Sequence, residues 1–305
     1  MKPAKQPRPR SARLIYALWT AGLGLLLVLG LVCWLFIAPM IEVRNLIRAV
    51  NRDHDIARLA QDPIESLGGQ SRAARGLKLY LRFYNDGEEH RLLAISMLGR
   101  CGKAALPTLL KEASSSDEEA RAFAIGSIGA VGPDAAECIP LLRQALHDQD
   151  DNIRGAAAGA LGAIGPTARE TYIDILPLMD DTSDFVRIHC ALALSKIDPP
   201  AGQVLPVLKK AMGDSFEPVR VNAAIALGSL GPTALDATTD LKAHLNDDDP
   251  FVKAHVAEAL WKITGDPAPL TPVLEQLMQS DHGLVRHIAE RTKSAIAQAG
   301  GKRFP

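Results

Sequence analysis

The chain has 305 residues, 47% of them hydrophobic and 23% charged, enough to build a sizeable buried core. Its 34 Lys and Arg nearly balance 35 Asp and Glu, and the net charge of −1 argues against the strongly basic surface of a general nucleic-acid binder. Four cysteines without framework spacing exclude a disulfide scaffold.

Residues 1–13 hold Lys2, Lys5, Arg8, Arg10 and Arg13 and no acid, so five of the positive charges sit here and the remainder carries −6. Residues 14–41 contain no charged residue, and a run of 28 exceeds the roughly 20 needed to cross a bilayer. Tyr16, Trp19 and Trp34 lie toward its ends, as interfacial aromatics do. The run is too long for the core of a cleaved signal peptide, and no clear Ala-x-Ala site follows. The sequence therefore predicts an uncleaved transmembrane signal anchor. On the far side Arg44, Arg48 and Arg52 are diluted by Glu42 and Asp53. The positive-inside rule then predicts a single-pass membrane protein with a cytoplasmic N-terminus. The rest of the chain would be extracytoplasmic, and periplasmic if the cell is a Gram-negative bacterium. In residues 42–69, Val43, Leu46, Ile47, Val50, Ile56 and Leu59 have helical spacing, and Asp62-Pro63 and Gly68-Gly69 bracket a further short helix. This stretch reads as a juxtamembrane helix and an N-terminal cap.

Residues 70–299 repeat. Arg121, Arg154, Arg187 and Arg220 are each 33 positions apart, Lys253 and Arg286 continue the series, and Arg91 opens it after a repeat three residues short. Four residues after the basic one come Ile125, Ala158, Ala191, Ala224 and Ala257; seven after it, Ile128, Leu161, Leu194, Leu227 and Leu260; ten after it, Val131, Ile164, Ile197, Leu230 and Ile263. Those spacings trace one face of an amphipathic helix. Asp151, Asp184 and Glu217, three residues before the arginine, suit a helix start, and Gly132-Pro133, Gly165-Pro166 and Gly231-Pro232 suit its end. A second helix follows, with Pro107, Pro140, Pro206 and Pro272 in its first turn. An acidic loop closes the repeat, with Asp148, Asp181, Asp214 and Asp247 six residues before the basic position. No alternating strand pattern appears. The sequence thus predicts an all-α fold, a right-handed α-solenoid of about seven helix pairs preceded by a single transmembrane helix, with residues 300–305 as a tail.

The stretches 151–165 (DNIRGAAAGALGAIG) and 217–231 (EPVRVNAAIALGSLG) resemble HEAT repeats, in the short form found in phycobilisome lyases. The resemblance implies a stacked-helix fold. It says little of function, because such repeats serve scaffolds, lyases, hydroxylases and nucleic-acid binders.

A cation in the first turn of a helix opposes the macrodipole, so its recurrence implies a fixed partner. The aspartate column supplies one. The expectation is a structural ladder built from Arg91, Arg121, Arg154, Arg187, Arg220, Lys253 and Arg286 with Asp148, Asp181, Asp214 and Asp247, rather than a phosphate-binding stripe. Cys101 and Cys190 occupy core columns and read as small apolar residues; Cys138 completes an odd set of three outside Cys33 of the apolar run.

No catalytic pattern emerges. There is no Cys-x-x-Cys, G-x-S-x-G or P-loop, and no His-Glu pair of the kind that HEAT-type di-iron hydroxylases use. No metal or cofactor is implied. Candidate partner-binding residues lie among those that vary between repeats: Phe123, His189, Asn222, His255 and Trp261. Gly129, Gly162 and Gly228 would admit either a partner's backbone or a neighbouring helix, and Trp261 would serve either as a peptide anchor or in the core. The sequence is read as a membrane-anchored, non-enzymatic scaffold holding a protein or peptide on the concave face of the solenoid. Bilin lyase or isomerase activity is the alternative from the repeat subfamily, and nucleic-acid binding is disfavoured by the acidic charge.

Overall fold

The computed structural model describes residues 38–53, 69–83 and 87–299. The chain divides into two compact units, residues 1–104 and 105–305. Among the described residues every regular element is an α or a 3-10 helix.

In the first unit three helices pack together: α1 (Ala38–Asp53), α2 (Gln70–Phe83) and α3 (Glu88–Gly99). Val43, Ala73, Leu77, Tyr80, Ile95 and Leu98 are buried between them. The crossing of α1 and α2 is close because Gly76 has no side chain; a Cβ there would lie 2.7 Å from the Pro39 carbonyl oxygen.

That crossing corrects the localisation expected from the sequence. Among the described residues no helix is long and apolar enough to cross a membrane. Residues 14–37 of the expected span lie outside the described residues, as do the basic tail and the short helix expected around Asp62-Pro63. The last four residues of the span, Ala38–Ile41, open α1, and Pro39 is buried against protein. Hydropathy counts apolar side chains but does not say whether lipid or another helix will cover them. The single-pass topology and the extracytoplasmic placement drawn from it are not supported.

The second unit begins with α4 (Leu106–Glu112) and then alternates long and short helices. The long ones carry the basic column: α5 (Glu118–Val131), α7 (Asp151–Ile164), α9 (Asp184–Leu194), α11 (Glu217–Ser229), α13 (Pro250–Thr264) and α15 (Gly283–Gln298). Each packs against the next. The short ones are α6 (Ile139–Ala145), α8 (Tyr172–Ile175), α10 (Ala201–Ala211), α12 (Thr238–Ala243) and α14 (Thr271–Leu277). The fourth and seventh positions after the basic residue are buried in all five central repeats, from Ile125 and Ile128 to Ala257 and Leu260. Each such leucine or isoleucine contributes about 1.5–3 kcal/mol relative to exposure.

The acids expected at the helix starts, Asp151, Asp184 and Glu217, stand in the first turns of α7, α9 and α11. At the starts of α5, α7 and α13 the preceding Asp117, Asp150 and Asp249 cap the helix, accepting from backbone N–H groups of the first turn. In addition, a 3-10 segment precedes the short helix where the repeat has its Gly-Pro, as in Gly132–Cys138, Gly165–Thr171 and Gly231–Ala237. In the first of these, Pro140 has no N–H to offer the Ala136 carbonyl, which accepts from the Ile139 N–H in the 3-10 pattern instead. Where Asp198-Pro199 replaces Gly-Pro, α10 starts directly at Ala201 and Pro206 sits inside it.

Five of the six long helices lead into left-handed or related backbone. Gly132, Gly165, Gly231 and Gly265 have positive φ, and Asp198 takes the same turn at φ 53°.

Candidate functional site

The recurring charges face each other across successive repeats. Arg154 donates through Nε and Nη2 to both carboxylate oxygens of Asp181, at 2.9 and 3.0 Å. Its Nη1 donates to the carbonyls of Asp148 and Gln149, at 3.0 and 2.8 Å. Arg187 makes the same set with Asp214 (2.8 and 3.1 Å) and the Asp181 and Thr182 carbonyls. Arg220 repeats it with Asp247 (3.0 and 2.9 Å) and the Asp214 and Ser215 carbonyls. Each aspartate also accepts the backbone N–H two residues on, from Ser183, Phe216 and Asp249. Every rung therefore ties the loop of its own repeat to the loop of the next. A planar guanidinium satisfies this four-acceptor geometry, and the loop oxygens offset the unfavourable helix end.

Burial alone would raise the carboxyls of Asp181, Asp214 and Asp247. The hydrogen bonds and charges of their arginines, with the loop N–H groups, outweigh it and hold all three below the usual carboxylate range.

The ladder does not extend over the whole column. Arg121 donates to the carbonyls of Ser115 and Ser116, but its acid contact is Glu118 of its own helix, at 3.9 Å. Asp148 instead accepts from the Asp150 N–H. Lys253 takes part in no ion pair among the described residues, and the position that would answer it holds Ser280. Arg286 keeps only the loop carbonyls, Ser280 and Asp281. Arg91 is half-buried on α3, in the first unit.

The varying positions divide into packed and open ones. Gly129, Gly162 and Gly228 admit the neighbouring helix, because a Cβ on each would meet the Cα of Ala160, Ala193 or Ala259 at 2.6, 2.8 or 3.0 Å. Trp261 stands in this same column and is only 5% exposed, so it is a core residue and not a peptide anchor. His189 packs edge-on to Phe185, and the two rings fill the space over Gly159 and Gly155. Its Nδ1 is buried without a partner, and burial, aided by Lys196, lowers its pKa. Asn222 turns back to the Pro218 carbonyl at 2.8 Å. Phe123 is 43% exposed. Cys101, Cys138 and Cys190 are buried thiols outside any disulfide among the described residues.

His255 borders a cleft of about 240 Å3 that the sequence reading missed. Its floor is Ala224, Ile225, Gly228 and Ala259; its charged rim is Glu258 and Lys262 of α13 and Arg291 of α15. Glu258 accepts from Arg291 at 2.7 Å, lies 2.9 Å from Lys262 Nζ, and has His255 Nδ1 at 3.6 Å. His255 beside it, then Lys262 and Arg291, outweigh the cost of burial and hold the Glu258 carboxyl down at about 2. A signal for this cluster did exist. Glu258 and Arg291 occupy the fifth position after the basic residue, which holds Gly126, Gly159, Leu192 and Ile225 in the preceding repeats. Among the described residues no three His, Cys, Asp or Glu are placed to hold a metal ion.

The geometry places the chain among known proteins. Among solved structures it is similar to an engineered protein from a structural-genomics programme, at 21% identity over 75% of this chain and 71% of that one, with a TM-score of 0.51. It is also similar to YibA of Escherichia coli, at 20% identity over 84% of this chain and 96% of that one, with a TM-score of 0.50. The CpcE–CpcF complex of phycocyanin lyase from Nostoc sp. PCC7120 matches half of the chain (50%, and 97% of that chain) at 21% identity, with a TM-score of 0.42. Likeness at these identities establishes fold alone. No curated protein matches the chain. The HEAT-repeat family model matches residues 106–195, 139–215 and 205–292. Those overlapping matches cover most of the second unit, and the chain belongs to the HEAT-repeat family.

Proposed function

We propose that the chain is a non-enzymatic scaffold whose second unit holds a protein or peptide segment along the face of its long helices. One observation carries this reading. The recurring charges Arg154, Arg187 and Arg220 bond to aspartates within the framework, while residues that differ at equivalent positions, such as Phe123 and the His255 cleft, reach the surface. A stacked-repeat framework of uniform core and varying surface is the physical basis of recognition in solenoids. HEAT and armadillo-like solenoids commonly serve as binding platforms, which supports the same reading.

The test compares partners captured by the full chain with those captured by Phe123→Ser and by a His255→Ala/Arg291→Gln double variant. The expected result is loss of the same partners from one or both variants, with a melting curve for each to separate loss of fold from loss of binding. Identical partner profiles would remove this face from consideration.

A further inference from the structure

Building on that reading, we infer that the cleft lined by α11, α13 and α15 is a subsite for one acidic side chain, Asp or Glu, of a protein partner. The cluster that forms it is not required by the repeat. Positions equivalent to Glu258 and Arg291 are glycine, leucine or isoleucine in the four preceding repeats, and the position of Lys262 is alanine in two of them. Those repeats stack without any such charge cluster.

The charge balance selects the ligand. Lys262 and Arg291 contribute two positive charges and Glu258 one negative charge, so these three side chains leave the cleft with one positive charge. Glu258 is mostly buried, whereas Lys262 and Arg291 are 50% and 54% exposed. The anion is thus at the base and the cations point outward with donors to spare. Arg291 gives Nη2 to Glu258, and the rest of its five-donor fork is open to a second acceptor. A single excess positive charge matches a carboxylate. It matches a phosphate dianion poorly, because Glu258 repels the second charge.

Size gives the same answer. The cleft, at about 240 Å3, is smaller than the roughly 300–1,000 Å3 usual for small-molecule pockets, and suits one side chain. Ala224, Ile225 and Ala259 offer apolar surface to its methylenes. Gly228 keeps the floor low, with the Lys262 stem 3.6 Å from where its Cβ would be. The net charge of −1 gives the chain no general attraction for acids, so selectivity for them would report this cleft.

The test uses the full chain on pools of capped random nonapeptides that share a fixed central Glu, Gln or phosphoserine. The Glu pool should be retained about tenfold more than the Gln pool, the worth of one charge-assisted hydrogen bond. Lys262→Gln and Arg291→Gln, both at exposed heads, should erase the preference, and Lys209→Gln on α10 should preserve it. Equal retention of the Glu and Gln pools, or a preference that survives both cleft variants, overturns the subsite while leaving peptide binding intact. A stronger preference for phosphoserine overturns the assignment to a carboxylate. No retention of any pool removes the peptide-binding reading and this inference with it. A melting curve for each variant separates loss of fold from loss of binding.

Discussion

From α7 to α13 each repeat is clamped to the next by an arginine with four acceptors, and the fifth position after that arginine is small or apolar. From α13 to α15 the clamp lapses: Lys253 replaces arginine, Ser280 replaces aspartate, and charge appears instead at Glu258 and Arg291. Both regions join neighbouring long helices by ion pairs. In the first, the acid and the base are both mostly buried and saturated by loop groups. In the second, only the acid is buried, and the bases keep free donors at the surface. A saturated pair holds a structure together, whereas a half-open one can exchange partners.

The contrast predicts unequal responses to substitution. Arg187→Ala removes one arm of the ladder and leaves Asp214 buried without its partner, so unfolding free energy should fall by about 3–5 kcal/mol. Denaturant melts measure this, and a loss below about 1 kcal/mol would place the clamp among ordinary surface pairs. Gly162→Ala forces a methyl to within 2.8 Å of the Ala193 backbone and should cost about 1–3 kcal/mol. The same melts apply, and a neutral result would mean the helices can part freely.

Acid separates the two regions through Glu258. Its folded pKa of about 2 lies below the ordinary 4.5, so its contribution is complete above pH 4.5 and lost as pH falls toward 2. Glu258→Gln should therefore be less stable than the parent at neutral pH, and the gap should close as pH drops through that window. A gap independent of pH would assign the loss to packing. Asp198→Gly relieves a non-glycine residue at φ 53° and should gain about 1 kcal/mol, read as a higher melting temperature. The smallest effect belongs to Lys253→Ala, within about 0.5 kcal/mol, because no ion pair is lost. A large loss there would extend the ladder beyond its three observed rungs.

How much of this was legible in the chain depends on whether a feature repeats. The columns Ile128, Leu161, Leu194, Leu227 and Leu260 announce a buried stripe, because each repeat meets nearly the same surroundings as the last. The positive-φ turn at Asp198 was visible from its alignment with Gly132, Gly165 and Gly231. The acids at the helix starts were legible too, but backbone geometry alone separates the cap Asp150 from the first helical residue Asp151. Trp261 was ambiguous for a related reason: amphipathic spacing gives a helix face, but not which face the next helix covers.

The sequence by itself determined the helical period, the core columns and the HEAT-repeat architecture of the second unit, since these follow from local spacing repeated many times. Tertiary structure decided the rest. It showed which arginines reach the next aspartate, that Trp261 is covered, that Pro39 packs on α2 at Gly76, and that Glu258 gathers Lys262, Arg291 and the His255 imidazole around one cleft. Each of these depends on which columns of two neighbouring helices meet, and that is fixed by packing between elements rather than by spacing within one.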